Sequence, residues 1–414
     1  MKKVLIISNA ALSNTDSNGR TVANLFNCYE KECLAQFCTY NAPDFSLCNN
    51  FYKVTDSDAL KSILKLKALG GKVAEQEDNS LTQKTSKSKI KKTPLKMILR
   101  EIVWGISFWK GKRFKHWLAQ VNPNVIFLNL ADNCFTIKLA ISIAKKYSVP
   151  IIAFSTENYY FKDFNYLTKK KSFGYTIFYS MIKRSYKRLQ KYCIKCFLNT
   201  ESLCDLYKNE FSFSCATSYA KSNLDFIPNY AVNKEQVKVS YLGNLGLNRH
   251  KALIEIAEAL NSINSNLTLD VYGRIPNKEI EEEFNACGNI NLKGFVNYEQ
   301  VVKVMHESSL LIHAEHLDDF LKKDLAFAFS TKIADTISSG TPMFLYADES
   351  LAETKFLLNN KCAFVATNKS ELKQTLNSAL FDEQKRKDII EICKAVSEKR
   401  FKCNSEVVDF INAL

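Results

Sequence analysis

The chain has 414 residues, 46% of them hydrophobic and 12% aromatic, with only 12 Gly and 7 Pro; this excludes a disordered chain and exceeds what one core usually serves, so two domains are expected. The net charge of +14 is unevenly placed, with 35 basic and 17 acidic side chains in residues 1–230 against 22 and 26 in residues 231–414. Thirteen cysteines without a spacing framework argue against a disulfide-stapled secreted domain and for a reducing, cytoplasmic setting.

In chain order, Met1-Lys2-Lys3 runs straight into VLIIS, too short for a signal core and better read as a first strand. No apolar stretch reaches the roughly 20 residues needed to cross a bilayer. Gly19 follows, ahead of a helix predicted to start near Arg20-Thr21. A glycine there lets a ligand approach the backbone, and a helix start favours an anion, although the pattern is not the dinucleotide fingerprint. Near-continuous apolar runs at Cys33–Tyr40, Val125–Asn129, Pro150–Thr156 and Lys195–Thr200 read as parallel strands buried on both faces, with helical periodicity between them, as at Phe135–Tyr147. Residues 69–93, with Gly70-Gly71 and a Ser/Thr/Lys-rich tract, read as a surface loop.

Thr93-Pro94 opens a helix on which Leu95, Ile98, Leu99, Ile102, Ile106 and Trp109 share one stripe. The region also holds all three tryptophans, Trp104, Trp109 and Trp117, among Lys96, Arg100, Lys110, Lys112, Arg113 and Lys115. Two readings stand. Residues 93–117 rest on an anionic membrane surface, with Trp104, Trp109, Lys110, Lys112 and Arg113 at the interface; or the stripe packs on the domain core, as Gly105 and Gly111 weaken a free helix. Basic residues are dense here, 11 against one acid over Thr82–His116, and nine against none over Phe164–Thr200, which calls for an anionic partner surface. Glu157–Asp163, just past a strand end, offers carboxylates where α/β sheets bind ligands, or is a polar turn with aromatic packing.

Ile227-Pro228-Asn229-Tyr230 marks the expected boundary, giving domains 1–228 and 229–414. The second half repeats the scheme, with strands within Gln236–Gly243, Leu267–Gly273, Ile290–Phe295, Ser309–Glu315 and Thr341–Tyr346. Helices lie between them at Lys251–Asn261, Asn297–Glu307 and Lys332–Ser339. A last helix, Glu383–Phe410, caps the second domain or crosses back to the first. The fold class is α/β with two doubly wound, Rossmann-like domains.

Two motifs in this half carry chemistry. Ser330-Thr331-Lys332 opens a helix whose first N–H groups and ammonium suit a phosphate, and Asp335 one turn on suits a ribose diol. Gly243-Asn244 ends a strand, and Arg249 opens the next helix. A guanidinium there grips a diphosphate bidentately, and with Lys332 it would pinch one group. Two metal-like patterns carry less. Cys193-x-x-Cys196 has no second pair and reads as core thiols; His313-x-x-His316 beside Glu315, Asp318 and Asp319 lacks the helical i, i+4 spacing of a zinc motif. No metal is called for, since cationic side chains already meet the diphosphate.

Through GNLGLNRHKALIEIAEAL, LTLDVYGRIP, INLKGFVNYEQVVKVM, LLIHAEHLDDF and FSTKIADTISSGTPMFLY, the chain resembles a GT-B glycosyltransferase of the large retaining group often called family 4, in the subgroup with a Ser-Thr-Lys helix start. In the first domain only the Gly19 loop, the strand pattern and the IPN hinge agree. The resemblance implies two domains facing across a cleft, the first binding an acceptor and the second a nucleotide-sugar. It implies that Gly243 and Arg249 face the donor diphosphate, that Gly294 and Phe295 hold the nucleobase through backbone groups, that Lys332 takes a phosphate and that Asp335 takes the ribose. Most members place a glutamate eight residues before the ribose-binding acid; here Phe327 stands there, and Glu315 or Asp318 would take over the sugar contact. Retention of configuration is implied by the resemblance alone. Glu157 is the candidate carboxylate on the acceptor side, and a lipid-linked glycan acceptor would explain the membrane-facing charge. The substrate is a nucleotide-sugar, with no cofactor. A nucleotide-sugar epimerase on the same scaffold competes on fold, but has no reason to seek an anionic surface. A nucleic-acid-binding protein competes on charge, but no RNA or DNA motif accompanies it.

Overall fold

The computed structural model describes residues 1–14, 16–74, 93–164, 171–232, 235–402 and 405–414. Most of the loop expected over residues 69–93, residues 75–92, lies outside them. The chain divides into two units: residues 1–218 with the last helix, Glu406–Ala413, and residues 219–402.

The first unit is built on eight strands: β1 (Val4–Ile7), β2 (Leu34–Cys38), β3 (Phe51–Lys53), β4 (Gly71–Lys72), β5 (Val125–Asn129), β6 (Ile151–Ser155), β7 (Cys193–Leu198) and β8 (Ser214–Thr217). Their order is β4-β3-β2-β1-β5-β6-β7-β8, parallel except for the β3–β4 pair. The central strands β1, β2 and β6 are buried along their whole length, as a sheet covered on both faces requires. The outer strands β3, β4 and β8 escape the apolar-run reading because they are two to four residues long and, in β8, polar. Cys193 and Cys196 are buried free thiols of β7.

The membrane reading of the tryptophans is corrected here. Trp104 and Trp109 are 3% and 1% exposed and form an aromatic core over Phe37, with Trp104 stacked on Phe135 at 4.1 Å and Trp109 at 5.1 Å from Phe37. Trp104 Nε1 donates to Asp56 (2.7 Å) and Trp117 Nε1 to Asn50 (2.6 Å) inside the unit, while Trp109 Nε1 is buried without a hydrogen-bond partner among the described residues. The helix Pro94–Ile106 therefore turns Trp104 and Glu101 inward. Its other face carries Leu95 (75% exposed), Leu99, Ile102 and Ile106, uncovered aliphatic chains beside exposed Lys96. Lys110, Lys112 and Arg113 are exposed nearby, with the Lys110 ammonium over the Trp109 ring at 5.2 Å. Exposed Phe173 extends the apolar face; its neighbour Gly174 lies so close to Pro94 that an added Cβ would sit 2.9 Å from the proline Cβ.

The second unit has six parallel strands, β9 (Val239–Leu242), β10 (Leu269–Tyr272), β11 (Ile290–Gly294), β12 (Leu310–Ala314), β13 (Met343–Tyr346) and β14 (Phe364–Ala366), in the order β11-β10-β9-β12-β13-β14. The unit begins at Tyr219, earlier than the Ile227–Tyr230 turn suggested. The physical reason is packing: Tyr219 joins Phe329 and Phe356 at 5.0 and 4.8 Å, and Ile227 and Asn229 donate backbone N–H groups to Ser339 and Gly340. Gly340 ends the helix Thr331–Ser339 at φ +84, where an added Cβ would meet the Ile227 carbonyl at 2.3 Å, so the linker closes on the very Gly-Thr-Pro step that hands over to β13.

The expected helix Glu383–Phe410 is not continuous. A helix over Glu383–Val396 passes into a π-type turn, Ser397–Phe401, and both belong to the second unit. There Arg386, fully buried, donates to the carbonyls of Ala379 and Ser309. The separate helix Glu406–Ala413, capped by Ser405, belongs to the first unit: Val407, Val408 and Ile411 join its core, and Ser405 Oγ donates to the Leu25 carbonyl.

Candidate functional site

In the second unit the strand order reverses direction between β9 and β12, the topological switch point at which open α/β sheets bind ligands beyond the carboxyl ends of their strands. The loop after β9 is sharp. Leu247 and Asn248 both take left-handed conformations (φ +61 and +57), an uncommon strain for two consecutive non-glycine residues. That turn sets Arg249 at the start of the helix Arg249–Ile263, where a cation opposes the helix dipole. Glu315, just beyond β12, compensates: Arg249 Nε and Nη2 donate to both its carboxylate oxygens at 2.5–3.0 Å. Arg249 Nη1 also reaches the Asn244 carbonyl at 3.4 Å, which accepts Tyr241 Oη at 2.8 Å.

Lys332, from the start of the helix before β13, completes the cluster. Its Nζ lies 5.8 Å from the Tyr241 ring centroid, in space that exists because residue 243 is glycine: an added Cβ there would sit 2.3 Å from Nζ and 3.0 Å from Tyr241 Oη. Burial, then the charge of Arg249, push the Lys332 ammonium down to about 8, with Glu315 and Glu353 partly restoring it. Burial pushes Glu315 up against the pull of Arg249. Burial would lower the Arg249 guanidinium, but Glu315 outweighs it and holds the group above its ordinary value.

Behind this pair lies a second layer that sequence reading missed. Glu353, on the helix Ala352–Asn360, is buried and accepts the Ser330 N–H at 3.4 Å. Its other oxygen lies 3.3 Å from His313 Nε2, itself 3.8 Å from Glu315. Burial works against the Glu353 carboxylate, but His313 beside it keeps it below the usual carboxylate range. No motif announces Glu353, since it follows β13 in an ordinary helical sequence. His313, Glu315 and Glu353 present ligand atoms within 4.8 Å of one another. That set could hold a cation, but a cation there would compete with the two-pronged Arg249 for Glu315. The His313/His316 pair does not converge, because His316 Nδ1 accepts the Asp318 N–H.

The other expected residues fall as follows. Ser330 caps the helix with no side-chain bond of its own, and Thr331 and Lys332 form the first turn. Gly243, Gly273 and Gly294 end adjacent strands β9, β10 and β11, with Gly243 N donating to Tyr272 O and Gly273 N to Gly294 O at 2.9 Å. Phe295 is 65% exposed, and the Arg274 guanidinium stands 4.5 Å over its ring, a flat cationic platform beside the loop. Asp335 is buried and accepts Ser222 Oγ at 2.8 Å, so a ribose would have to share it with Ser222. Asp318 is a helix cap, its Oδ1 accepting from Phe320 and Leu321. Glu315 is engaged by Arg249.

In the first unit, Gly19 does not open backbone to a ligand. An added Cβ would lie 2.2 Å from the Ala11 carbonyl, so the glycine lets the helix Ser17–Leu25 pack on its own loop. That helix starts at Ser17, and its N-terminus is capped by the Asp16 carboxylate, which repels an anion. Glu157 lines a cavity of about 250 Å3 with Asn9, Asn18, Asn129, Asp132 and Tyr159.

Residues 224–396, which hold the Arg249–Lys332 cluster, match the family described as "Glycosyl transferases group 1". No curated protein matches the chain in sequence. Among solved structures, Anabaena Alr3699/HepE in complex with UDP is similar with a TM-score of 0.64 and 11% identity, covering all of both chains; its complex with UDP-glucose gives 0.63 at the same identity and coverage. Sucrose-phosphate synthase from Thermosynechococcus elongatus is similar with a TM-score of 0.62 and 10% identity, over 97% of this chain and 95% of that one. At such identities the likeness speaks for the fold, which is GT-B: two α/β domains with parallel sheets. Together the matched segment and the fold support a glycosyltransferase.

Proposed function

We propose that the chain is a retaining, metal-independent glycosyltransferase. It moves a sugar from a nucleotide-sugar to a glycan acceptor, lipid-linked at the inner face of the plasma membrane, in the synthesis of a surface polysaccharide. The observation that carries the reading is the pairing of Arg249 and Lys332 at the β9/β12 switch point, beside a helix N-terminus and a glycine-ended strand. Departure of a nucleoside diphosphate concentrates negative charge on its phosphates; two half-buried cations and the N–H groups of Ser330 to Lys332 stabilise that charge as it develops. HepE binds UDP and UDP-glucose, ligands of this class. In the proposal the diphosphate takes Arg249 from Glu315, whose carboxylate then turns to the donor sugar, while Gly294 and Phe295 meet the base, Asp335 the ribose, and Glu157 the acceptor. Retention follows the family resemblance. The direct test is incubation with a panel of nucleotide-sugars: free nucleoside diphosphate released only in the presence of acceptor means transfer, whereas interconversion of the nucleotide-sugar without release means epimerisation and ends this reading.

The membrane component rests on exposed aliphatic side chains, not on the tryptophans. No helix among the described residues is long and apolar enough to cross a membrane. Leu95, Leu99, Ile102 and Ile106 form an outward stripe at helical spacing beside lysines, the pattern of a helix lying in the headgroup boundary. Immersion of each chain is worth up to about 1.5–3 kcal/mol. The Leu99→Glu/Ile102→Glu variant is expected to lose most of its co-sedimentation with vesicles containing phosphatidylglycerol while keeping its melting temperature. Equal sedimentation of variant and parent would remove the membrane component.

A further inference from the structure

The cavity of the first unit has a chemistry at odds with the charge of the unit that holds it. It lies beyond the carboxyl ends of β1, β2, β5 and β6, and β1/β5 is where this sheet reverses its order, the position expected of a ligand site. Around it the sequence is strongly basic, yet among the described residues the lining contains no lysine or arginine. The lining instead holds Asp132 and Glu157, the amides of Asn9, Asn18 and Asn129, and the phenol of Tyr159. Asn9 Oδ1 is buried without a hydrogen-bond partner among the described residues, a cost of about 1–3 kcal/mol that a ligand donor would relieve. The hydroxyls of Thr21, Tyr40 and Thr156 line it as well, so the wall combines two carboxylates with neutral amides and hydroxyls, groups that pair with sugar hydroxyls.

We infer that this cavity receives an uncharged, polyhydroxylated sugar unit of the acceptor and rejects phosphorylated or uronic-acid sugars. The inference rests on the transferase reading for the word acceptor, but not for the selectivity itself. A hydroxyl group can donate to Asn9, Asp132 or Glu157 and accept from an amide. A phosphate or carboxylate brings further acceptor oxygens and a like charge into a partly enclosed space where two carboxylates already stand. Burial, with Glu157 and Asp132 nearby, pushes the Tyr159 phenol well above its ordinary value, so it keeps its proton and can donate. The volume, about 250 Å3, falls below the roughly 300–1,000 Å3 of whole-ligand pockets, so it admits one sugar ring and leaves the rest of an acceptor outside. The basic surface would then meet the anionic lipid side, and the cavity the neutral sugar.

The test is saturation-transfer NMR titration of the full chain at pH 7.5 with methyl α-glucoside, glucuronate and glucose 6-phosphate, without nucleotide. The neutral sugar is expected to bind at least tenfold more tightly than either anion. Asp132→Asn with Glu157→Gln should shrink that ratio to threefold or less, and Asn18→Ala, at an exposed position of the lining, should weaken the neutral sugar without altering the charge ratio. Anions binding as tightly as the glucoside, a ratio unchanged in the double variant, or no sugar binding at all would each overturn the inference. Failure of the transferase reading looks different: it shows as nucleoside diphosphates that ignore Lys332, and it leaves sugar selectivity in this cavity untouched.

Discussion

Arg249→Ala is expected to cost the second unit about 3–5 kcal/mol, because it leaves the Glu315 carboxylate buried without its partner. For a unit of this size the fall in melting temperature is roughly 6–20 °C. Donor binding should vanish with it, since the residue that would meet the diphosphate has gone. The stability loss depends on pH in a direction that can be worked out. Burial already holds Glu315 above its ordinary value, and removing Arg249 raises it further. A carboxyl whose folded value lies above its unfolded one contributes stability that is complete below the unfolded value, about 4.3, and is lost as pH climbs through the folded one. The variant should therefore be nearly as stable as the parent at acid pH and fall away from it towards pH 8. Arg249→Ala with Glu315→Gln should recover much of the loss in thermal melts, because no buried charge is then stranded. A defect of equal size at pH 5 and pH 8, or no recovery in the double variant, would mean that the ion pair does not govern this region.

Lys332→Met is expected to do the opposite to stability while sharply lowering turnover. A buried ammonium pushed down to about 8 is a folded-state cost that is full below pH 8. The cost fades as pH rises from there towards the unfolded value near 10.4, because the unfolded chain then binds more protons than the native one. The parent should therefore gain stability between about pH 8 and 10 relative to the methionine variant, which carries no such group. A diphosphate at about 100 times its dissociation constant adds roughly 2.7 kcal/mol to the parent, and most of that should be absent in the variant. Turnover should fall by about 10²–10³, the loss typical of one preorganised contact to developing negative charge. Since a bound diphosphate favours the charged lysine, nucleotide binding should weaken above pH 8 and take up protons there.

Much of the fold is legible in the sequence because its signals are local. β1, β5, β6, β12 and β13 are apolar runs bounded by polar turns, and the Gly340-Thr341-Pro342 step stops a helix by backbone geometry alone. The short strands β3, β4 and β14 leave no such trace, because two or three residues cannot establish a period. The break in the last helix was hidden for a related reason: its charges run through continuously, and only the cores of the two units decide that Ile389 and Cys393 serve one while Val407 and Ile411 serve the other.

The site divides along the same line. Arg249 and Lys332 could be placed together because each sits one turn from a recognisable strand–glycine or Ser-Thr-Lys step. The partner of Arg249 could not be assigned, since a carboxylate at residue 315 suits a sugar hydroxyl and a guanidinium equally well, and only the fold says which is near. Glu353 was illegible altogether, being 40 residues from its histidine with no motif around it. The tryptophans misled for a complementary reason: aromatic and basic residues interleaved in sequence look alike whether the rings face lipid or a neighbouring sheet, and it is Phe37, Tyr52 and Phe135 that draw them inward.

The most direct measurement is a crystal structure of the chain with a nucleoside diphosphate bound. The account predicts Lys332 Nζ and the Arg249 guanidinium both within hydrogen-bond distance of phosphate oxygens, with Glu315 released from Arg249. A diphosphate bound elsewhere, with the Arg249–Glu315 pair intact and Lys332 untouched, would contradict it.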